Sequence, residues 1–224
     1  MTTSLSRRRF LQASAVAGGG FMVGFSLPAA AEGKPPFGAT NPDEINAWIV
    51  IHADERVVIR IARSEMGQGS LTALAQLVAE ELDCDWARVS AEFASPNEHI
   101  RRNRVWGSMS TGGSQGVRGS HDYVRKAGAA ARIMLVEAAA ARWKVPAAEC
   151  IGANGVVTHA ATGRRLRYGE LAAEAAKLTP PSNPPLRDPK DWKIAGKPLR
   201  RLDIPDKVMG KPVFGVDVVL PGML

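Results

Sequence analysis

The apolar positions change period along the chain, and each change marks an element. Ala47-Trp48-Ile49-Val50-Ile51 and Val57-Val58-Ile59-Arg60-Ile61 are β-branched runs on either side of the polar turn Ala53-Asp54-Glu55-Arg56, which predicts a hairpin. After Gly67 and Gly69 the spacing becomes helical: Leu71, Leu74, Leu77, Val78 and Leu82 share one face over 70–82, with Ser70 placed as N-cap. Residues 89–93 read as another short strand. A long polar, glycine-rich loop follows and ends in a second helix over roughly 119–143, alanine-rich and stopped before Pro146. Residues 155–159, with the turn Ala161-Thr162-Gly163, predict a small hairpin, and 168–178 a short helix. The pattern predicts an α+β fold: a mixed sheet whose strand-loop-helix units pack helices on it. Pro180, Pro181, Pro184, Pro185, Pro189 and Pro198 make 179–200 a linker that wraps a surface or joins domains.

The amino terminus has a different logic. Ser6-Arg7-Arg8-Arg9-Phe10-Leu11-Gln12 precedes a weakly apolar, glycine-bearing run and then Pro28-Ala29-Ala30-Ala31, the layout of a twin-arginine signal with a small-residue cleavage site. The apolar run is about fifteen residues, short of the roughly twenty a spanning helix needs. The expectation is a signal over 1–31, cut between Ala31 and Glu32, and a periplasmic product, with association to the inner membrane left open. The twin-arginine route moves folded proteins, often around a cofactor. Setting aside Arg7, Arg8 and Arg9 lowers the formal net charge from +7 to +4. The remaining bases are dispersed, apart from Arg101-Arg102-Asn103-Arg104 and Gly163-Arg164-Arg165-Leu166-Arg167, which read as solvated loops, so no nucleic-acid partner is expected.

Cys84 and Cys150 are the only cysteines, too few for a thiolate-held iron–sulfur cluster; two buried free thiols are the favoured reading over a disulfide. His52, His99, His121 and His159 are scattered without ligand spacing, so no metal is expected on protein side chains.

Two loops carry candidate chemistry. Glu65-Met66-Gly67-Gln68-Gly69-Ser70 and Gly107-Ser108-Met109-Ser110-Thr111-Gly112-Gly113-Ser114-Gln115-Gly116 each deliver glycine and hydroxyl residues to the start of a helix. Peptide N–H groups at such a start form an anion site, and glycine lets a ligand approach the backbone. The candidate contacts are Met66, Gly67, Gln68, Gly69 and Ser70 in the first loop, and Ser108, Ser110, Thr111, Gly112, Gly113, Ser114 and Gln115 in the second. Glycine and serine before a helix also serve as plain turn and cap residues. Neither loop has the Walker or dinucleotide pattern.

Glu-Met-Gly-Gln-Gly-Ser, continuing through Ala75-Gln76-Leu77-Val78-Ala79-Glu80-Glu81-Leu82, resembles the Met-Gly-Gln-Gly segment of the molybdenum-binding subunits of xanthine dehydrogenases and aldehyde oxidases. The second loop falls where that family has its serine and threonine cluster. A twin-arginine signal close ahead of the motif is similar to the isoquinoline 1-oxidoreductase beta-subunit group and the membrane-associated bacterial aldehyde dehydrogenases. Residues 201–224, from Arg201-Leu202-Asp203-Ile204-Pro205 to Leu220-Pro221-Gly222-Met223-Leu224, look like the truncated start of that family's next domain, leaving 32–178 as the cofactor-binding portion.

The resemblance implies a molybdenum hydroxylase that oxidises an aldehyde or an N-heterocycle. It implies molybdopterin, in the cytosine dinucleotide form, with molybdenum held by the cofactor and no catalytic residue in this stretch. Its partners would be a small [2Fe-2S] subunit carrying the iron–sulfur clusters, a c-type cytochrome subunit and the remaining part of the large subunit. The family's general-base glutamate would lie beyond residue 224, so no turnover is expected from this stretch alone; Glu65 reads as a helix-entry or turn carboxylate. The alternative is a noncatalytic exported module that binds an anion or cofactor.

Overall fold

The computed structural model describes residues 44–223; the signal expected over 1–31 lies outside the described residues. Four short strands form the first sheet: β1 (Glu44–Asn46), β2 (Ile49–Ile51), β3 (Val57–Ile61) and β4 (Val89–Phe93), in that spatial order. β2 and β3 pair antiparallel with Ile49 opposite Ile59, and β4 runs parallel to β3 with Val57 opposite Val89. In β3 the inward positions Val57, Ile59 and Ile61 are buried and the alternate ones half-buried, as a sheet covered mainly on one face requires. The sheet is therefore mixed and the fold α+β, with the predicted hairpin at its centre.

A parallel neighbour needs a crossover, and helix α1 (Ser70–Leu82) supplies it. Its Leu71, Leu74, Val78 and Leu82 bury against the sheet, each such side chain contributing about 1.5–3 kcal/mol. The N-cap is Gly69 in the left-handed region (φ 83°), not Ser70, which is the first helical residue. The expected continuous loop after β4 holds two short helices, α2 (Pro96–Arg101) and α3 (Gln115–Arg118). Ser95 caps α2 by accepting from the Glu98 N–H at 3.4 Å, and proline opens it.

The long helix α4 (His121–Trp143) lies across α1 through small residues. A Cβ built on Gly128 would stand well inside van der Waals contact of the Val78 carbonyl oxygen, so only glycine permits this approach. The second sheet, β5 (Cys150–Ala153), β6 (Val156–His159) and β7 (Arg165–Arg167), is an antiparallel meander leading into α5 (Tyr168–Ala175). Tyr168 is buried, and its hydroxyl donates to the Leu82 carbonyl at 3.0 Å, tying α5 to the end of α1. Cys84 and Cys150 are both free and buried.

The proline-rich stretch 179–200 runs over α1 and is held by carboxylates. Glu80 and Glu81 near the end of α1 are both buried. Glu80 Oε2 accepts from the peptide N–H groups of Lys193 and Ala195, each at 2.9 Å. Glu81 accepts from Arg125 Nε at 2.8 Å and from the Arg187 N–H at 3.0 Å. Several donors per carboxylate offset much of the desolvation cost that an isolated buried charge would carry.

Beyond Arg201 the chain forms only the short helix α6 (Ile204–Val208) and a single turn at Gly215–Asp217. Residues 213–220 read in sequence as an apolar strand without its partners, but they form no strand, and Val216 there is 91% exposed. No neighbouring strand offers it a ladder, and an unpaired segment has no reason to extend. Among the described residues no helix is long and apolar enough to cross a membrane, and no group of three or more His, Cys, Asp or Glu side chains is placed to hold a metal ion.

The α1–α4 contact gives a stability test. Gly128→Ala gains helix propensity but drives a methyl into the Val78 carbonyl, and the net loss should be about 1–2 kcal/mol, read as a lowered midpoint in urea unfolding. An unchanged midpoint would mean that the two helices do not meet at this position.

Candidate functional site

The two candidate loops lie side by side at the mouth of the β3–α1 turn. The Ser64 carbonyl links them: it accepts from Gln68 Nε2 at 3.0 Å and from Thr111 Oγ1 at 3.2 Å. Gly116 packs beneath this junction, where an added Cβ would sit 3.8 Å from Ser70 Cβ and 3.9 Å from Thr111 Cγ2. Met66, Gly67, Gln68, Ser108, Ser110, Gly112, Gly113, Ser114 and Gln115 are exposed, Gly69 and Thr111 half-buried, and Ser70 buried. The exposed residues form two rims, and Ser70 lies under them.

The first loop does not offer the free amide cradle that its sequence suggests. Glu65 fills it: Oε1 accepts from the N–H groups of Gly67 at 2.8 Å and Gly69 at 2.9 Å, and Oε2 from that of Leu71 at 3.0 Å. Burial raises the Glu65 carboxyl, but the bonds from Gly69, Leu71 and Gly67 and the nearby Arg201 charge together hold it below the ordinary glutamate value. Arg201 Nη1 also donates to the Gly67 carbonyl at 2.8 Å, and its guanidinium forks onto Asp203. Glu65 is thus the anion at this helix start, the helix-entry role expected of it. Gln68 is also turned inward, its Oε1 accepting from the Met66 N–H and its Nε2 donating to Ser70 Oγ at 2.9 Å.

The second loop is open. A Cβ on Gly112 or Gly113 would meet nothing within 4 Å, and the peptide N–H groups of Gly112, Gly113 and Ser114 make no hydrogen bond among the described residues. Ser114 is in the left-handed region (φ 59°) and its side chain caps nothing. The loop enters α3, a single turn, and not the long helix directly; a helix that short has little macrodipole, so its anion affinity rests on local N–H and hydroxyl donors. This donor set, exposed peptide N–H groups flanked by Ser110, Ser114 and Gln115, fits a phosphorylated ligand lying against the first loop's rim.

Sequence reasoning passed over Arg63. It is 6% exposed and binds the second loop from beneath, donating to Ser108 Oγ at 3.2 Å, to Ser120 Oγ at 3.0 Å and to the Ser110 carbonyl. The available signal was a lone arginine directly after the buried run that ends at Ile61-Ala62. Of the two basic runs expected as solvated loops, the first is only partly so: Arg102 pairs with buried Glu44 at 2.7 Å and lies over Trp106.

The chain as a whole is similar to known proteins. A family model for the molybdopterin cofactor-binding domain matches residues 3–214. The beta subunit of isoquinoline 1-oxidoreductase from Brevundimonas diminuta is 37% identical over all of this chain and 33% of its own length. The membrane-bound aldehyde dehydrogenase [pyrroloquinoline-quinone] of Gluconacetobacter polyoxogenes is 34% identical over 99% of this chain and 29% of its own. A nicotinate dehydrogenase subunit of Pseudomonas putida is 30% identical over 81% of this chain and 15% of its own. The chain spans about a third or less of the length of these relatives.

The Glu65 clasp predicts a pH response with a definite sign. A carboxylate held below its unfolded value contributes stability that is full above about pH 4.5, the ordinary glutamate value, and is lost as pH falls through the folded value. Amide exchange at Gly67, Gly69 and Leu71 should therefore speed up on acidification, relative to helix-interior amides, and Glu65→Gln should show the faster exchange already at neutral pH. Equal protection in both proteins at neutral pH would remove Glu65 as the clasp.

Proposed function

The chain belongs to the molybdopterin cofactor-binding domain family of xanthine dehydrogenase-type subunits, and we propose that it forms the pterin-holding part of an exported molybdenum hydroxylase. In this reading the N–H groups of Gly112, Gly113 and Ser114, with the hydroxyls of Ser110 and Ser114 and the Gln115 amide, grip the phosphates. Ser108 and Thr111 fix the shape of that loop from below. Met66, Gly67 and Gln68 form the facing rim, which the Gln68 bonds to the Ser64 carbonyl and Ser70 hydroxyl hold in place. Gly69 and Ser70 set the turn that presents them. The observation that carries the reading is the Ser64 carbonyl, which seats both loops on one atom.

Bound, the cofactor would supply a two-electron redox centre, and the residues present here would bind and orient it. We further propose the cytosine dinucleotide form, a small [2Fe-2S] subunit and a c-type cytochrome subunit as electron acceptors, and an aldehyde or N-heterocycle as substrate. These rest on the family and on the names of the relatives. Periplasmic placement rests on the order Arg7-Arg8-Arg9, apolar run, Ala29-Ala30-Ala31. The domain division 32–178, 179–200 and 201–224 is part of the same proposal. One observation favours the alternative of a noncatalytic module: Glu65 already occupies the first amide cradle.

The assembly purified from periplasm should contain molybdenum, an oxidisable pterin and an iron–sulfur protein. Pyrroloquinoline quinone in place of pterin, or neither, would refute the reading. Gly112→Glu adds a negative charge where space is open, so it should lower pterin content about fivefold or more through charge repulsion while moving the melting temperature by less than about 2 °C. Undiminished pterin in that variant would remove the second loop from the site.

A further inference from the structure

Between β1, the start of α4 and the proline-rich stretch lies a cleft of about 740 Å³, within the range that takes a small organic ligand. Its walls include Trp48, Trp106, Tyr123 and Pro181, and no carboxylate lines it. The Trp48 and Tyr123 rings stand 5.1 Å apart, tilted by 39°. Three neutral polar side chains of the walls already have partners. Trp106 Nε1 donates to the Ala47 carbonyl, the Tyr123 hydroxyl to Ser120 Oγ, and Asn46 Nδ2 to the Ala127 carbonyl.

Two cations line the cleft, Arg63 and Lys126. Lys126 has Asp122 at 2.9 Å. Arg63 differs: it is 94% buried, its hydrogen-bond partners are two serine hydroxyls and a carbonyl, and no carboxylate pairs with it among the described residues. A guanidinium stays protonated, and burying it without a counter-ion is costly. Elsewhere buried Arg125 pairs with Glu81 at 2.7 Å, and half-buried Arg102 with Glu44 at 2.7 Å. The serines hold the Arg63 fork rigid through Nε and Nη1, and Nη2 makes no hydrogen bond among the described residues.

We propose that this cleft binds a small planar aromatic anion, whose acidic group pairs with Arg63 and whose ring lies against Trp48, Trp106 and Tyr123. Charge selects the ligand, because Arg63 is the wall cation with no carboxylate partner among the described residues, and the aromatic walls select a flat ring. The site shares Ser108 with the proposed cofactor loop, but none of Met66, Gly67 and Gln68 lines it. It therefore stands or falls separately from the cofactor reading.

The test titrates the purified full chain with 2-naphthoate and with its uncharged isostere 2-naphthamide, by calorimetry and tryptophan fluorescence. Naphthoate should bind saturably at one site and at least about tenfold tighter than naphthamide, the contribution of a charge-assisted pair. Arg63→Gln should reduce that ratio to about twofold or less, whereas Lys126→Gln should keep most of it. Should Arg63→Gln fail to fold, the wild-type ratio and the Lys126→Gln control still decide. Equal affinity for acid and amide, a ratio lost in Lys126→Gln, or no saturable binding up to about 5 mM of either would overturn the proposal.

Discussion

The approach of α4 to α1 at Gly128 is the constraint on which the rest of the domain depends. With no side chain there, the α4 backbone lies directly on the Val78 carbonyl, and this fixes where both ends of α4 fall. Its first turn brings Ser120 to Arg63 and Tyr123 to Trp48. The later turns meet the second sheet and α5, which Tyr168 fastens to the end of α1. Packed cores resist small volume changes, so a shift of this crossing would move the floor of the second loop and the wall of the aromatic cleft together.

Buried charge organises the same helices. α1 ends in Glu80 and Glu81, which face inward and gather peptide N–H groups from the proline-rich stretch and the guanidinium of Arg125. α1 begins at Gly69, where Glu65 collects three peptide N–H groups of its own. The two ends use one device, a carboxylate as acceptor for backbone donors that lack a helical partner. At the first end it anchors a strap, and at the second it gives the Met-Gly-Gln-Gly turn its shape. Arg63 is the exception, a buried cation answered by hydroxyls and a carbonyl.

Family membership and local geometry contribute different things to the functional reading. The family gives the cofactor class. The geometry divides labour between the loops: the second holds free donors, while the first is internally satisfied and presents a rim. A loop that already satisfies its own hydrogen bonds needs little rearrangement to keep its form, which lowers the entropic cost of binding a large ligand.

The sequence by itself determined the hairpin 47–61, the helix over 70–82, the strand at 89–93 and the long alanine-rich helix, because period and β-branching act within a few residues. It also determined the Met-Gly-Gln-Gly motif and its companion loop as candidates, since glycine and serine at a helix start have a local meaning. It missed α2, although Ser95-Pro96-Asn97-Glu98 carries a cap signal, because polarity dominated that stretch. Only the tertiary structure decided which donors were free. Glu65 reads in sequence as a helix-entry or turn carboxylate, but its donors, and those of Glu80, lie in a turn and in a segment more than a hundred residues away. Tertiary contacts also placed the Ser64 carbonyl between both loops and left Arg63 without an anion among the described residues, since which groups share a desolvated space is a property of packing across the chain, invisible to any local pattern.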